Sequence, residues 1–486
     1  MPFDLEVILN SINRRCLCIT RYKGDGFKLI GAKFKQPIQQ RPESVYFRIT
    51  MKIKPLLFLS MMYLTGAAQN HTTLRFKSVK AVRSSVAANA IGVNTHLNYL
   101  ESVYDLHYAD IVRPRLIELG TKHIRDHLGN KMVNDRYTEL AHQHGIKLLL
   151  ISDDSGKDLE QSRNEIIRLN QFIPAKAVVD LIEPANERDI GWKADWGELC
   201  SYMATYRDIF KGNAVTKTIP LLGPSFANTR NSALDFGLIC KNAAALMDMG
   251  NLHAYSGLYP EASMAGGWGI SFDQAISSYK TISGDHPIIE TESGYKMSEG
   301  ADGHPAVSER TAAKYAPRLV LSRLKAGINQ LYFYQLINNS EDFGLLNTDG
   351  SPRLQYTALK NFIHLMGDQG GSFEPGVIDF SLKGNLDGIQ QQVFQNSKGK
   401  FLLLIWQGIE GSKGGTKNND YSDVNNPERL LRLTLSKKAK QIKVYRPSFN
   451  TMPDGNGIKP VSSYSGASMV SLSIPDQILC VEIEFP

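Results

Sequence analysis

The chain has 486 residues, 42% hydrophobic and 21% charged, with 40 Gly, 21 Pro and 5 Cys. This composition excludes a disordered chain, a collagen-like repeat and a small disulfide-stapled scaffold, and the length accommodates one large α/β barrel with a smaller companion. The whole formal charge of +7 arises in the first 68 residues, since residues 69–486 hold 44 basic and 44 acidic side chains, so no basic footprint remains for a nucleic-acid partner.

Residues 1–50 show no sustained periodicity and read as an unstructured upstream extension. Residues 51–68 have the layout of a secretory signal peptide. Met51 precedes two lysines, an apolar run follows from Leu56 to Leu64 broken only by Ser60, and Gly66-Ala67-Ala68 supplies a small-residue end. The run is too short to span a bilayer, so the expectation is a secreted or periplasmic protein with no membrane span in its mature form. Residues 69–87 read as a linker, or as a strand that joins a later β module. Cleavage near Ala68 leaves Cys200, Cys240 and Cys480, which allow one disulfide at most.

Over 88–370, short apolar runs alternate with segments of helical period. Expected strands are Ala90–Asn94, His123–Asp126, Lys147–Ser152, Val178–Glu183, Ile219–Gly223, Met249–His253, Pro287–Thr291 and Gln330–Gln335. Helical patterns such as Tyr137–His144, Trp196–Phe210 and Thr311–Lys325 lie between them. Parallel strands need crossovers of this length, and doubly buried strands read as continuous apolar runs such as KLLLIS. The fold class is therefore α/β: a (β/α)8 TIM barrel rather than a doubly wound sheet, because no Gly-rich phosphate loop follows the first strand. Residues 371–486 change character. Short runs such as VIDFSL, KFLLLIW, LLRLTL and MVSLSI, divided by turn residues, predict a small antiparallel β-sandwich. Trp406 reads as core of that module, and 410–428 as a solvated surface loop.

Functional side chains of a parallel barrel collect at the C-terminal strand ends. Strand four closes with Glu183-Pro184-Ala185-Asn186-Glu187 and strand seven with Glu290-Thr291-Glu292-Ser293-Gly294. Two carboxyl groups facing each other across a cleft are the minimum apparatus for glycosidic cleavage, one protonated to serve the leaving oxygen and the other ionised. Glu290 is a rival to Glu292 because it shares the same strand face, but it is expected about 6.6 Å deeper in the packed interior. Glu183 reads as a structural carboxylate in a polar network.

Asn186-Glu187, Thr291-Glu292-x-Gly, His253-x-Tyr255, Arg125 on strand two and the run FGLLNTDGSPRLQYTALKNF at 343–362 together resemble the retaining glycoside hydrolases of clan A. The likeness spans about 88–368. It implies Glu187 as acid/base and Glu292 as nucleophile, with Asn186 on the sugar 2-hydroxyl, Arg125 and Tyr255 holding Glu292, and His253 lining the subsite. It implies a carbohydrate substrate and neither a metal nor an organic cofactor. The chain departs from the clan at the end of strand eight, where a tryptophan is common and Leu331-Tyr332-Phe333-Tyr334-Gln335 stands instead. Tyr99, Trp192, Trp196, Tyr259 and Trp268 fall on strand-to-helix loops. Trp192 and Trp268 are candidates for sugar stacking, whereas Trp196 is expected to pack under its helix. His123 and His127 suggest a metal but lack companion ligands. The expected function is a secreted retaining hydrolase cleaving a β-linked poly- or oligosaccharide by double displacement. A carbohydrate-binding protein on a degenerate barrel is the alternative, and metal-assisted hydrolysis lacks a ligand set.

Overall fold

A computed structural model of the chain describes residues 10–12, 15–17, 76–152, 159–172, 175–190, 195–255, 259–261, 272–297, 305–339, 341–413, 421–449 and 458–486. The signal segment expected at 51–68 lies outside the described residues, and 72–486 form one compact unit.

Seven parallel strands form a curled sheet. In chain order they are Ile91–Asn94, His123–His127, Lys147–Ile151, Val179–Glu183, Gly250–His253, Ile288–Ser293 and Leu331–Phe333, with the first pairing both the second and the last. The expected strand at Ile219–Gly223 shrinks to single bridges, Leu221 to Ile182 and Leu222 to Met249. Those bridges close the ring between the fourth strand and Gly250–His253, so the barrel has eight staves. Pro220 and Pro224 flank the segment and lack the N–H that a longer ladder would require. Helices Arg113–Leu119, Lys131–His144, Leu159–Phe172, Trp196–Gly212, Thr229–Ile239, Phe272–Ser283, Glu309–Lys325 and Leu354–Met366 follow the staves in turn. Asn130, Asp195 and Ser308 cap three of them by accepting hydrogen bonds from the first-turn amides of Val133, Glu198 and Thr311.

Leu149, Leu181, Leu222, Ile289 and Tyr332 pack together inside the ring as an apolar layer beneath the mouth. Gly92 makes room for it, since a Cβ there would lie 2.4 Å from the Tyr332 ring. The disulfide Cys200–Cys240 ties helix Trp196–Gly212 to the end of Thr229–Ile239. No helix among the described residues is long and apolar enough to cross a membrane.

The C-terminal strands form two facing sheets. One orders Met469–Ile474, Arg429–Leu435, Val377–Lys383 and Lys77–Lys80. The other orders Ser462–Ser465, Gln441–Tyr445, Leu479–Glu484, Phe401–Gln407, Ile389–Gln395 and Val82–Arg83. Residues 77–83 thus supply an edge strand to each sheet before entering the barrel. Leu403 and Ile405 face the sandwich core, while Leu402, Leu404 and Trp406 join the barrel's cluster. Burial on both faces explains why this one strand reads as a continuous apolar run. Trp406 is accordingly not core of the sandwich as expected. It sits at the seam, where its Nε1 donates to Glu261 Oε1 at 2.6 Å. Loop 410–428 also departs from a free solvated face, because Tyr421 Oη donates to the Met297 carbonyl at 3.0 Å and Asp423 accepts from Thr311 at 2.8 Å.

Candidate active site

Arg125 lies inward on the second strand and is almost wholly buried, and it spends every donor within the mouth. Its Nε and Nη2 reach Glu183 at 2.7 and 3.1 Å, Nη1 reaches Asn94 at 2.8 Å and Glu292 at 2.7 Å, and Nη2 also reaches Asn186 at 2.7 Å. One guanidinium on the second stave therefore organises residues from the first, fourth and seventh of the eight staves. Asn94 completes the tie by donating to the Thr291 carbonyl at 3.1 Å. Glu183 is the buried structural partner expected of it.

Past Glu183 the chain turns sharply. Glu187 has φ +45°, a left-handed conformation unusual for a residue with a side chain. The Glu187 amide donates to the Ser225 carbonyl at 3.1 Å, which holds that turn over the mouth. Asn186 Oδ1 accepts from both Arg125 and Ser225 Oγ, so its Nδ2 is the end left to donate elsewhere.

On Ile288–Ser293, the seventh of the eight staves, Glu290 pairs with Leu252 and Glu292 with His253, so Thr291 is an extra residue in the ladder. This bulge reverses the expected alternation. Glu290 does not share the face of Glu292. It turns toward the helix layer, where Arg323 clasps it at 2.6 and 3.2 Å with both side chains fully buried. Thr291 points inward and bonds His253 Nε2 at 3.0 Å and Asn251 at 2.6 Å. Glu292 enters the mouth, with Arg125 on Oε1 and Tyr255 Oη on Oε2 at 2.9 Å.

His253 joins the two acids. Its Nδ1 lies 2.6 Å from Glu187 Oε1 and 3.7 Å from Glu292 Oε2. One oxygen of each acid and one nitrogen of His253 all lie within 4.8 Å of one another. The two carboxyl groups experience different surroundings. Burial raises Glu187 above the usual carboxylate range, with His253 opposing the rise. Burial would raise Glu292 too, but His253, Arg125 and the Tyr255 hydroxyl outweigh it and hold that group low. His253 is raised, because Glu292 and Glu187 overcome the opposite effect of its burial.

The same three atoms could in principle hold a metal ion. Each is already engaged, however, and the fixed positive charge of Arg125 opposes a further cation. The donor set suits a shared proton better. His123 sits at the far end of its strand, beside Asp180 at 3.1 Å, and takes no part.

The structure thus gathers Arg125, Asn186, Glu187, His253, Tyr255 and Glu292 in one mouth, while Trp192 and Trp268 lie outside the described residues. Trp196 packs edge-on against Phe226 at 5.8 Å, under its helix as expected. Strand eight places Tyr332 in the interior layer and Tyr334 at the rim, edge-on to Phe343 at 5.9 Å, with Phe343 5.3 Å from Tyr255. Asn94, Thr291, Asn251 and Phe343 escaped sequence reasoning. Thr291 and Phe343 carried a signal, the first within the Thr291-Glu292-x-Gly motif and the second as the opening residue of the barrel-closing run.

No family model matches the chain, and no curated protein matches its sequence. Solved structures do share its fold. A family 39 glycoside hydrolase from Bacteroides cellulosilyticus WH2 superposes with a TM-score of 0.58 at 15% identity, over 83% of this chain and 82% of that one. An α-L-arabinofuranosidase from Thermotoga maritima gives 0.55 at 11% identity, over 85% and 100%. A GH30 endoxylanase from Clostridium papyrosolvens C71 gives 0.51 at 12% identity, over 85% and 99%. The barrel with an appended β-sandwich is the architecture common to this chain and these glycoside hydrolases.

Proposed function

We propose that the protein is a retaining glycoside hydrolase acting on a β-linked carbohydrate. The observation that carries this is the separation of the two acids, whose nearest oxygens lie within 4.8 Å. Retaining enzymes need carboxyl groups about 5–5.5 Å apart, whereas inverting enzymes leave about 6.5–9.5 Å for a water. The environments favour the same division of labour. Glu292, held ionised, attacks the anomeric carbon while Glu187 gives its proton to the departing oxygen, and a glycosyl ester forms on Glu292. Glu187, now a carboxylate beside His253, takes a proton from water, which attacks the ester and frees the sugar. Asn186 Nδ2 is placed to donate to the sugar 2-hydroxyl, and Tyr334 supplies an aromatic edge where the clan commonly has tryptophan.

Secretion belongs to the same proposal, supported by the signal-like 51–68 and by the disulfide Cys200–Cys240, which suits an oxidising compartment. The chemistry is tested with Glu292→Ala and Glu187→Ala on aryl β-glycosides. Both variants should lose turnover, Glu187→Ala by about 10²–10⁴-fold on poor leaving groups. Azide should then rescue Glu292→Ala as the α-glycosyl azide and Glu187→Ala as the β-glycosyl azide. Near-parental hydrolysis by either variant rejects the assignment, and activity abolished by a chelator would move the reaction to a metal.

A further inference from the structure

The rings at the mouth form a wall longer than one sugar uses. The rings run from Tyr255, which holds Glu292, through Phe343, Tyr334 and His96 to Tyr99, with successive centroid spacings of 5.3, 5.9, 5.9 and 4.6 Å. The first three contacts are edge-on, but the last is a parallel stack with 15° between planes. Tyr99 is therefore stacked on His96 through one face, and the residue is 52% exposed. Tyr99 thus stands half-exposed, backed by a second ring, at the end of a wall leading from the nucleophile.

The loop that carries Tyr99 is built to keep it there. Asp126 Oδ2 accepts from Thr95 Oγ1 and from the Leu97 amide, both at 2.7 Å. The Tyr99 amide donates to the His96 carbonyl at 2.9 Å, and Ser102 Oγ donates to the Tyr99 carbonyl at 2.6 Å. A ring so fixed needs little ordering when a ligand arrives. Burial pushes the His96 imidazole down to about 4, with Glu292 opposing, so the ring behind Tyr99 remains uncharged.

Position decides which sugar the wall would meet. The leaving group departs toward Glu187, at the end of the fourth strand. Tyr99 follows the first strand, beside the eighth and away from Glu187, so it borders the portion of the substrate that stays on Glu292. Pyranose and furanose rings carry apolar C–H faces that stack on flat aromatic rings. We propose that Tyr99 is the platform of a second glycone subsite, so that the enzyme acts on chains bearing at least one sugar beyond the one that reacts. This rests on the hydrolase function proposed above.

The test uses 4-nitrophenyl β-glycosides in matched mono- and disaccharide pairs of the gluco, xylo, manno and galacto series. For each pair the parent cleaves, the ratio of kcat/KM for disaccharide over monosaccharide should fall about tenfold in Tyr99→Ala and in Tyr99→Leu, and should stay near the parental value in Tyr99→Phe. Thermal melting checks that the exposed substitution leaves the fold intact, with Tyr99→Leu as the milder change. An unchanged ratio in both ring-less variants overturns the subsite and leaves the hydrolase standing. Failure of the parent to cleave any pair overturns both.

Discussion

At the seam between barrel and sandwich, buried cations and carboxylates are matched one to one. Arg318 clasps Glu261 and spends its other donors on the carbonyls of Asp476 and Ile409 at 2.8 and 2.9 Å, while Lys314 faces Asp476 at 2.9 Å. Arg323 and Glu290 repeat the pattern inside the helix layer. At the mouth, by contrast, Glu183, Glu187 and Glu292 share Arg125 and His253. Three carboxylates against one permanent cation and one imidazole leave a surplus of negative charge, which burial resolves by favouring the proton on Glu187. Burial raises Glu290 in its matched pair as it raises Glu187, so the comparison teaches that burial alone does not separate a reactive centre from a structural one; what differs is that Glu187 shares its cation with a second acid.

The sharpest way to break the comparison is Glu290→Ala. It strands Arg323 in a fully buried site, so stability should fall by about 3–5 kcal/mol in urea unfolding, without the azide-rescuable loss that Glu292→Ala produces. Azide rescue of Glu290→Ala would make it the nucleophile and dissolve the contrast.

His253→Asn sharpens the comparison at the mouth. His253 opposes the burial-driven rise of Glu187, and among the groups that hold Glu292 down it is foremost. Without the imidazole both carboxyl groups hold their protons more tightly. The acid limb, set by Glu292, and the basic limb, set by Glu187, should therefore both move to higher pH in the kcat/KM profile. A profile that stays in place or moves to lower pH contradicts the sharing of His253 between the two acids.

The smallest effect is expected at the sandwich's hold on the barrel. Tyr421→Phe deletes one hydrogen bond to the Met297 carbonyl, four residues beyond the strand that carries Glu292, and should cost about 1 kcal/mol in thermal or urea unfolding. No measurable change would mean that loop 410–428 only rests on the barrel.

Much of this molecule could be read from its sequence because local chemistry is repeated there. Apolar runs such as Leu148–Ile151, divided by helical periods, announce parallel staves. Asn186-Glu187 and Thr291-Glu292 announce a carboxylate pair by standing at two strand ends. What escaped depended on contacts between distant segments. One extra residue in the ladder at Thr291 sends Glu290 to Arg323 and Glu292 to Arg125, and nothing in Ile289-Glu290-Thr291-Glu292 marks it. Trp406 looked like sandwich core because a continuous apolar strand does not say which bodies cover its two faces. Pattern and composition, which are local, determined the barrel, the sandwich and the two acids. Register parity, charge balance and the line of rings from Tyr255 to Tyr99 were decided only when eight staves closed, because each depends on side chains that meet across the ring.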